Sequence, residues 1–253
     1  MDLIINNFDD IIESQELKSE KSRILEKCKE YKRNMKMNSF QVYQMSFSLD
    51  SDNLGLWNYY TKGDSIEGFN IGFNIGEISK SIKFDLNDEK NAPYILGRKI
   101  EYDEDAQIKL IIDFFNRFYN AIKAENGTNP DSQLISKRIF LHRLESILER
   151  LILLGTFFKA PCFSIENEYR LAIGLYSDEE GKFYSIENNI KFDSRNSLLI
   201  PYIDLKFDIK SIKSIMISPT LNFEIIKDNL KMFLKSKKLS GIDIEKSDIP
   251  VRF

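Results

Sequence analysis

The sequence has few of the residues that build metal centres and histidine-dependent catalytic sites. Its 253 residues include one histidine, His142, and two cysteines, Cys28 and Cys162, which lie far apart in the chain. Without a Cys-x-x-Cys pair or a second imidazole, we expect no metal site, and a catalytic triad is unsupported. Two lone thiols are typical of a reducing compartment, so we expect a cytoplasmic protein.

Long apolar runs and a strong net charge are also absent. No stretch approaches 18 uncharged apolar residues, so we expect no membrane-spanning segment. Residues 1–7 show neither the basic nor the apolar region of a signal peptide, so we expect no signal peptide. The net charge is −3, with 42% hydrophobic and 30% charged residues. This balance favours a globular chain with a sizeable core and gives no global reason for nucleic-acid binding. Nucleic acid is not excluded, because Lys235–Lys238 is locally basic.

The hydrophobic periodicity predicts one α+β domain over residues 1–253. It places a charged amphipathic helix at the N-terminal end, over 9–36, and a helical hairpin within 104–155. Shorter helices are predicted after Asn53 and over 220–238. The strand-like segments are 41–48, 67–74, one or two within 78–102, 162–176, 182–192, 198–207, 212–218 and 242–253.

Two features of this organisation can be tested directly. We predict that 42–48, 67–74 and 163–175 share one mixed or antiparallel sheet, because they alternate and no linker separates them. We also predict that helices 104–124 and 131–155 pack as an antiparallel hairpin, since their connection is short. The apolar side chains that this hairpin should bury are Phe114, Phe118, Ile139, Leu144, Leu148 and Leu151.

The segments with the most distinctive residues are a Ser-Phe-Ser strand and a distant Glu-Asn-Glu-Tyr-Arg segment. The first, 46–48, leads through Trp57 and Tyr60 to the Gly-rich strand at 68–73, and the second is 166–170. With the tail at 247–252, they resemble the bacterial family catalogued as domain of unknown function 2971. The resemblance spans about 42–253 and implies a family without implying an activity.

The same segments more distantly resemble ADP-ribosyltransferases of the poly-ADP-ribose polymerase and toxin type. That resemblance implies a central sheet of the ADP-ribosyltransferase type, with NAD as substrate. Ser46-Phe47-Ser48 is similar to the motif that fixes the ribose, and the segment over 166–169 is similar to the one that supplies the catalytic glutamate. The resemblance implies binding roles for Ser46, Ser48, Trp57, Tyr60 and Arg170, and a catalytic role for Glu168.

The chemistry of NAD cleavage explains why these residue types would be needed. Breaking the N-glycosidic bond passes through an oxocarbenium-like sugar, which a nearby carboxylate stabilises. We predict that Glu168, and not Glu166, is this carboxylate, because Glu168 takes the place of the glutamate in an Asn-Glu-Tyr motif. On a continuous strand, Glu166, Glu168 and Arg170 would share one face. The structural alternative is a solvent-facing Glu168 paired with Arg170.

Two functions therefore remain open. The first is an ADP-ribosyltransferase or NAD glycohydrolase, acting as a bacterial toxin or phage-defence effector on a macromolecular acceptor. The second is a non-catalytic interaction protein whose helices, 104–124 and 131–155, bind a partner or a second copy. The first ribose-holding motif of the transferases is not found, since the early arginines, Arg23 and Arg33, lie on a predicted helix. It is missing, relocated or supplied by a partner, or the chain is an incomplete or degenerate member. This favours the second function, whereas the Glu-Asn-Glu-Tyr-Arg segment favours the first.

Overall fold

The computed structural model describes residues 2–11, 15–34, 40–61, 66–82, 93–127, 130–177, 190–195 and 197–250. Within them the helices are α1 (Asp2–Asn6), α2 (Phe8–Ile11), α3 (Gln15–Lys18), α4 (Lys21–Asn34), α5 (Leu54–Tyr60), α6 (Ile75–Ser81), α7 (Glu104–Asn126), α8 (Pro130–His142), α9 (Leu144–Gly155) and α10 (Phe223–Ser236). The strands are β1 (Phe40–Ser48), β2 (Phe69–Phe73), β3 (Tyr94–Lys99), β4 (Glu168–Tyr176), β5 (Ile190–Arg195), β6 (Leu198–Ile203), β7 (Ile212–Ile217) and β8 (Asp243–Lys246). Short 3-10 helices lie at Pro161–Glu166 and Ile209–Ser211. The mixture confirms the predicted α+β class.

The described strands form three small sheets, with the orders β1-β4-β3, β2-β7-β8 and β5-β6. The prediction that 42–48, 67–74 and 163–175 share one sheet is therefore wrong, because β2 is not in the sheet of β1 and β4. β2 pairs antiparallel with β7, with Phe69 opposite Ile217 and Ile71 opposite Ile215. Alternation specifies which face of a strand is buried, but it does not identify the strand beside it.

The residue contacts group the chain into two compact units, each assembled from separate stretches. The first takes residues 1–46, 86–164 and 170–188, and the second takes 47–85, 165–169 and 189–253. This grouping does not decide whether residues 1–253 are one α+β domain, so the single domain stays a prediction.

The first unit has a helical core. α7 contacts α8 and α2, and α4 contacts α9. Leu144, Leu148 and Leu151 are buried, as the hairpin prediction requires. The other three predicted side chains, Phe114, Phe118 and Ile139, are partly buried and pack against the same core. The apolar faces of this hairpin are therefore core surfaces of the chain itself.

Several helix boundaries in the first unit differ from the predicted ones. The predicted helix over 9–36 is a series of helices, of which α4 is the longest, while 12–14 and 35–36 lie outside the described residues. The predicted helix over 131–155 is divided at Arg143 into α8 and α9. By contrast, α7 begins after Asp103, whose side chain accepts a hydrogen bond from the Ala106 amide at 2.8 Å, and it ends at Gly127 with φ of 87°. Aspartate is a common N-terminal cap of helices, and glycine is the usual residue at a helix end with positive φ.

β4 is the central strand of its sheet, and it is buried along nearly its whole length. Gly174 is required there because a Cβ atom would lie 2.4 Å from the Phe40 ring. That ring also contacts Tyr176, with 4.9 Å between the ring centroids.

The second unit is built on the β2-β7-β8 sheet, in which β7 and β8 are parallel. α10 contacts β7, and the buried apolar side chains of this unit include Ile78, Ile217 and Leu234. The predicted strands over 198–207 and 242–253 are shorter in the structure, since β6 ends at Ile203 and β8 ends at Lys246. Residues 182–189 and 251–253 of the predicted strands lie outside the described residues.

Candidate functional site

In the second unit, the end of the Ser-Phe-Ser strand meets the segment that carries Glu166 and Glu168. The Ser48 hydroxyl donates a hydrogen bond to the carbonyl of Glu166 at 3.0 Å. The amide of Leu49 donates to the carbonyl of Asn167 at 2.8 Å. We call this region, residues 48–53 together with 165–168, the strand-end junction. It brings Ser48 beside the Glu-Asn-Glu segment, although the two are more than 100 residues apart in the sequence.

The alternation of side chains between the two faces of β1 explains why Ser48 is accessible at the junction. Phe47 is partly buried and its ring meets the Phe73 ring at 5.8 Å, while Ser48 is exposed. Ser46 is also exposed, on the part of β1 that belongs to the first unit. Strand geometry turns successive side chains to opposite faces, so the phenylalanine anchors the strand and the serines remain accessible.

A left-handed residue separates Glu166 from Glu168. Glu166 ends the 3-10 helix Pro161–Glu166, Asn167 has φ of 40°, and β4 begins at Glu168. Asparagine tolerates this backbone conformation better than most residues, and the Asn167 side-chain amide donates to Asp50 at 2.9 Å. The prediction of a strand starting at 162 is wrong, and so is the inference that Glu166 shares a strand face with Glu168.

Glu168 and Arg170 are both buried, with 4% and 8% of their surfaces exposed. The solvent-facing position that the structural alternative assumed for Glu168 is therefore wrong. In the first unit, the Arg170 guanidinium donates a hydrogen bond to the carbonyl of Thr156. Burying charged side chains is costly unless they have polar partners, so a position of this kind serves either a structural network or a site.

Trp57 and Tyr60 have different environments on α5, which begins where the Asn53 side chain accepts a hydrogen bond from the amide of Leu56 at 3.2 Å. Trp57 is 6% exposed, and its indole N–H donates to Asp52 at 2.8 Å. Tyr60 is 67% exposed and meets the neighbouring Tyr59 ring edge-on at 5.1 Å. Trp57 is thus held in place, whereas Tyr60 presents an accessible aromatic ring.

Asp52 links two segments whose contact the sequence did not predict. Its carboxylate accepts hydrogen bonds from the Trp57 indole, from the Ser247 hydroxyl at 2.7 Å and from the Asp248 amide at 2.7 Å. Asp52 therefore joins α5 to the tail at 247–252, since Ser247 lies 195 residues further along the chain than Asp52. The sequence signal was the presence of both motifs, and their direct contact was not predictable from spacing.

The hydrogen bonds also set the protonation of Asp52. Partial burial raises the pKa of the Asp52 carboxyl. The hydrogen bonds from Trp57, from Ser247 and from the amides of Asp248 and Ile249 lower this pKa by more. The net pKa lies below the ordinary value of 3.8. The carboxylate is therefore ionised at neutral pH, where it accepts these bonds most strongly.

The first unit contains a second polar cluster that sequence reasoning missed. The Tyr176 hydroxyl donates to the Glu149 carboxylate at 2.8 Å, and burial raises the pKa of Glu149 while this bond lowers it, with a net rise. The neighbouring Arg150 guanidinium lies over the rings of Tyr94 and Phe118, at 5.6 and 5.2 Å from their centroids. Both cation–π contacts fix the arginine beside the carboxylate.

The described residues contain no group of three or more His, Cys, Asp or Glu side chains that could hold a metal ion. In the same part of the chain, no helix combines the length and apolar character needed to cross a membrane.

Residues 56–171 match the model of a protein family described as "Protein of unknown function (DUF2971)". This match supports the resemblance that the motifs indicated, and it includes Trp57, Tyr60, Glu168 and Arg170. Ser46, Ser48 and the tail lie outside it. No curated protein and no solved structure matches the chain.

Proposed function

We propose that the strand-end junction binds the ribose and nicotinamide of NAD, and that the chain is an ADP-ribosyltransferase or NAD glycohydrolase of a bacterial toxin or phage-defence kind. The single observation that supports this proposal is the hydrogen bond between Ser48 and the backbone of Glu166. It makes the Ser-Phe-Ser and Glu-Asn-Glu segments neighbours, and the resemblance to the transferases requires that proximity. Glu168 is then the catalytic residue.

In this reaction the bond between ribose C1′ and the nicotinamide nitrogen breaks, and nicotinamide leaves as a neutral molecule with the bonding electrons. The ribose carries the resulting positive charge, which an ionised Glu168 stabilises. Water, or a nucleophile on an acceptor macromolecule, adds at C1′ and loses a proton. Ser48 supplies a hydroxyl for the ribose, and the exposed Tyr60 ring supplies a face for stacking.

The burial of Glu168 imposes a condition on this mechanism. With 4% of its surface exposed, Glu168 meets the ribose only after the junction opens. The side-chain bonds at this edge, from Ser48 to Glu166 and from Asn167 to Asp50, join exposed groups. A hydrogen bond of this kind contributes only about 1 kcal/mol to stability, so contacts with a bound nucleotide can replace both hydrogen bonds. Ser48 would then exchange the Glu166 carbonyl for a ribose hydroxyl.

Titration with NAD tests binding, because Trp57 is the single tryptophan of the chain. We expect a saturable change in its emission, since the ligand binds beside α5. Tyr60→Ala should weaken binding by about tenfold through the loss of stacking. Tyr59→Ala is the matched control, since Tyr59 is equally aromatic and 77% exposed, and it should bind NAD as the wild type does.

If millimolar NAD changes neither the Trp57 emission nor the melting temperature, the nucleotide proposal is wrong. Equal weakening by both tyrosine variants would remove Tyr60 from the site.

A second candidate is the non-catalytic interaction protein. It is favoured by the exposed apolar side chains of the β5–β6 hairpin, among them Phe192, Leu198 and Leu199. The sequence analysis assigned partner binding to the helices within 104–155, but most of their large apolar side chains pack in the core of the first unit. The hairpin is therefore the better candidate for a binding surface.

A further inference from the structure

The β5–β6 hairpin exposes several large apolar side chains, and clusters of such side chains mark interaction surfaces. The exposed fractions are 63% for Phe192, 67% for Leu198 and 74% for Leu199. Both strands belong to the second unit, and among the described residues each pairs only with the other. A two-stranded sheet is marginally stable by itself, so a hairpin of this composition gains from further pairing.

The register of the hairpin separates an apolar face from a mixed one. Phe192 lies opposite Pro201, and Ser194 lies opposite Leu199. Since directly opposite residues share a face, Phe192, Leu199 and Pro201 lie together on the apolar side. Lys191 and Asp193 lie on the other side, on either flank of Phe192.

The two strands of the hairpin differ in how readily their outer edges can pair with another strand. Pro201 lacks a backbone N–H, and proline is one of the means by which natural proteins block the addition of strands to an edge. β5, with the sequence Ile-Lys-Phe-Asp-Ser-Arg, contains no proline and keeps every backbone donor. β5 is therefore the strand of this hairpin that can accept another strand.

The charges of β5 are self-complementary. If two copies of β5 pair antiparallel about a twofold axis at Phe192, each Lys191 lies opposite Asp193 of the other copy. The two Phe192 side chains then lie opposite each other, and aromatic and opposite-charge pairs of this kind stabilise antiparallel strands. Within its own chain, Lys191 also pairs with Asp204, and both side chains are more than half exposed. Such an exposed ion pair contributes little and leaves the lysine able to shift.

We propose that this chain forms a symmetric dimer in which the β5 strands of two copies pair antiparallel, creating a four-stranded β6-β5-β5-β6 sheet. The strand that pairs with β5 comes from a second copy of the chain, because the sequence around Phe192 complements itself under a twofold axis. The interface of a symmetric dimer requires such self-complementarity. The dimer does not depend on NAD binding, and its failure would leave the nucleotide proposal untouched.

Charge-reversal variants test the pairing by sedimentation velocity or light scattering over a range of protein concentrations. The wild type should be a dimer. Asp193→Lys places lysine opposite lysine at both symmetric positions, and Lys191→Asp places aspartate opposite aspartate. Each variant alone should dimerise at least tenfold more weakly than the wild type. An equal mixture of the two variants should regain the dimer, because lysines of one chain then face aspartates of the other.

The control variant is Asp228→Lys, which makes the same charge change at an exposed position on α10 and should leave the dimer intact. Circular dichroism establishes that each variant is folded. A wild type that is monomeric at every concentration would overturn the proposal and would favour a different protein as the binding partner of the hairpin. A dimer that both variants keep, or a mixture that stays monomeric, would also overturn it.

Discussion

Replacing Asp52 by alanine is expected to lower the free energy of unfolding by about 3 kcal/mol, as measured by urea denaturation. The change removes the acceptor of three hydrogen bonds, from Trp57, Ser247 and the amide of Asp248. The indole N–H of Trp57 is then left in a buried position without that acceptor, and an unsatisfied buried donor typically costs about 1–3 kcal/mol. The emission of Trp57 should change in the folded state as well.

Asp248→Ala is the matched control, because Asp248 donates to Asp52 through its backbone amide and its own side chain is not required. This variant should lose less than about 0.5 kcal/mol, as surface substitutions usually do. If both variants are equally stable, Asp52 does not hold the tail motif to α5.

The effect of Asp52 should also depend on pH in a defined direction. Its folded pKa lies below the ordinary value of 3.8, so the ionised form is the one that the fold stabilises. This contribution is complete above about pH 4 and is lost as the pH falls through the folded pKa. The difference in stability between the wild type and Asp52→Ala should therefore narrow in strong acid.

Glu168→Gln is expected to slow the release of nicotinamide from NAD by about a hundredfold or more. Glutamine keeps the shape of the side chain but removes the charge that stabilises the oxocarbenium-like ribose. Losing one such electrostatic contact costs on the order of 3–4 kcal/mol in the transition state. The rate is measured by chromatography of the nicotinamide formed.

Glu166→Gln provides the comparison, because Glu166 lies two residues away in the 3-10 helix and should retain most of the activity. Thermal melting of both variants separates a catalytic role from a structural one, since Glu168 is buried. If Glu168→Gln releases nicotinamide as fast as the wild type, the assignment is wrong. If it melts much earlier and the wild type has no activity, Glu168 is a structural residue.

The parts of the fold that could be predicted depend on short-range signals. Asn53 and Asp103 precede apolar helices and cap them, and Gly127 ends α7 with a positive φ. The wide apolar stripe of α7 similarly predicted its packing in the core. Each of these features is determined by residues within a few positions in the chain.

The features that could not be predicted depend on long-range partners. β2 finds its neighbour in β7, about 140 residues later, and alternation alone did not identify that strand. The left-handed conformation of Asn167 interrupted a segment that otherwise alternates like a strand. The role of Asp52 depends on the tail of the chain, and only the folded structure joins the two.

Hydrogen–deuterium exchange with and without NAD tests the central claim most directly, because it shows where the nucleotide binds. We expect saturating NAD to slow amide exchange in residues 48–60 and 165–169, while exchange in α7 and in the β5–β6 hairpin stays unchanged. Unchanged exchange in both junction segments, or protection confined to another part of the chain, would contradict the assignment of the strand-end junction as the NAD site.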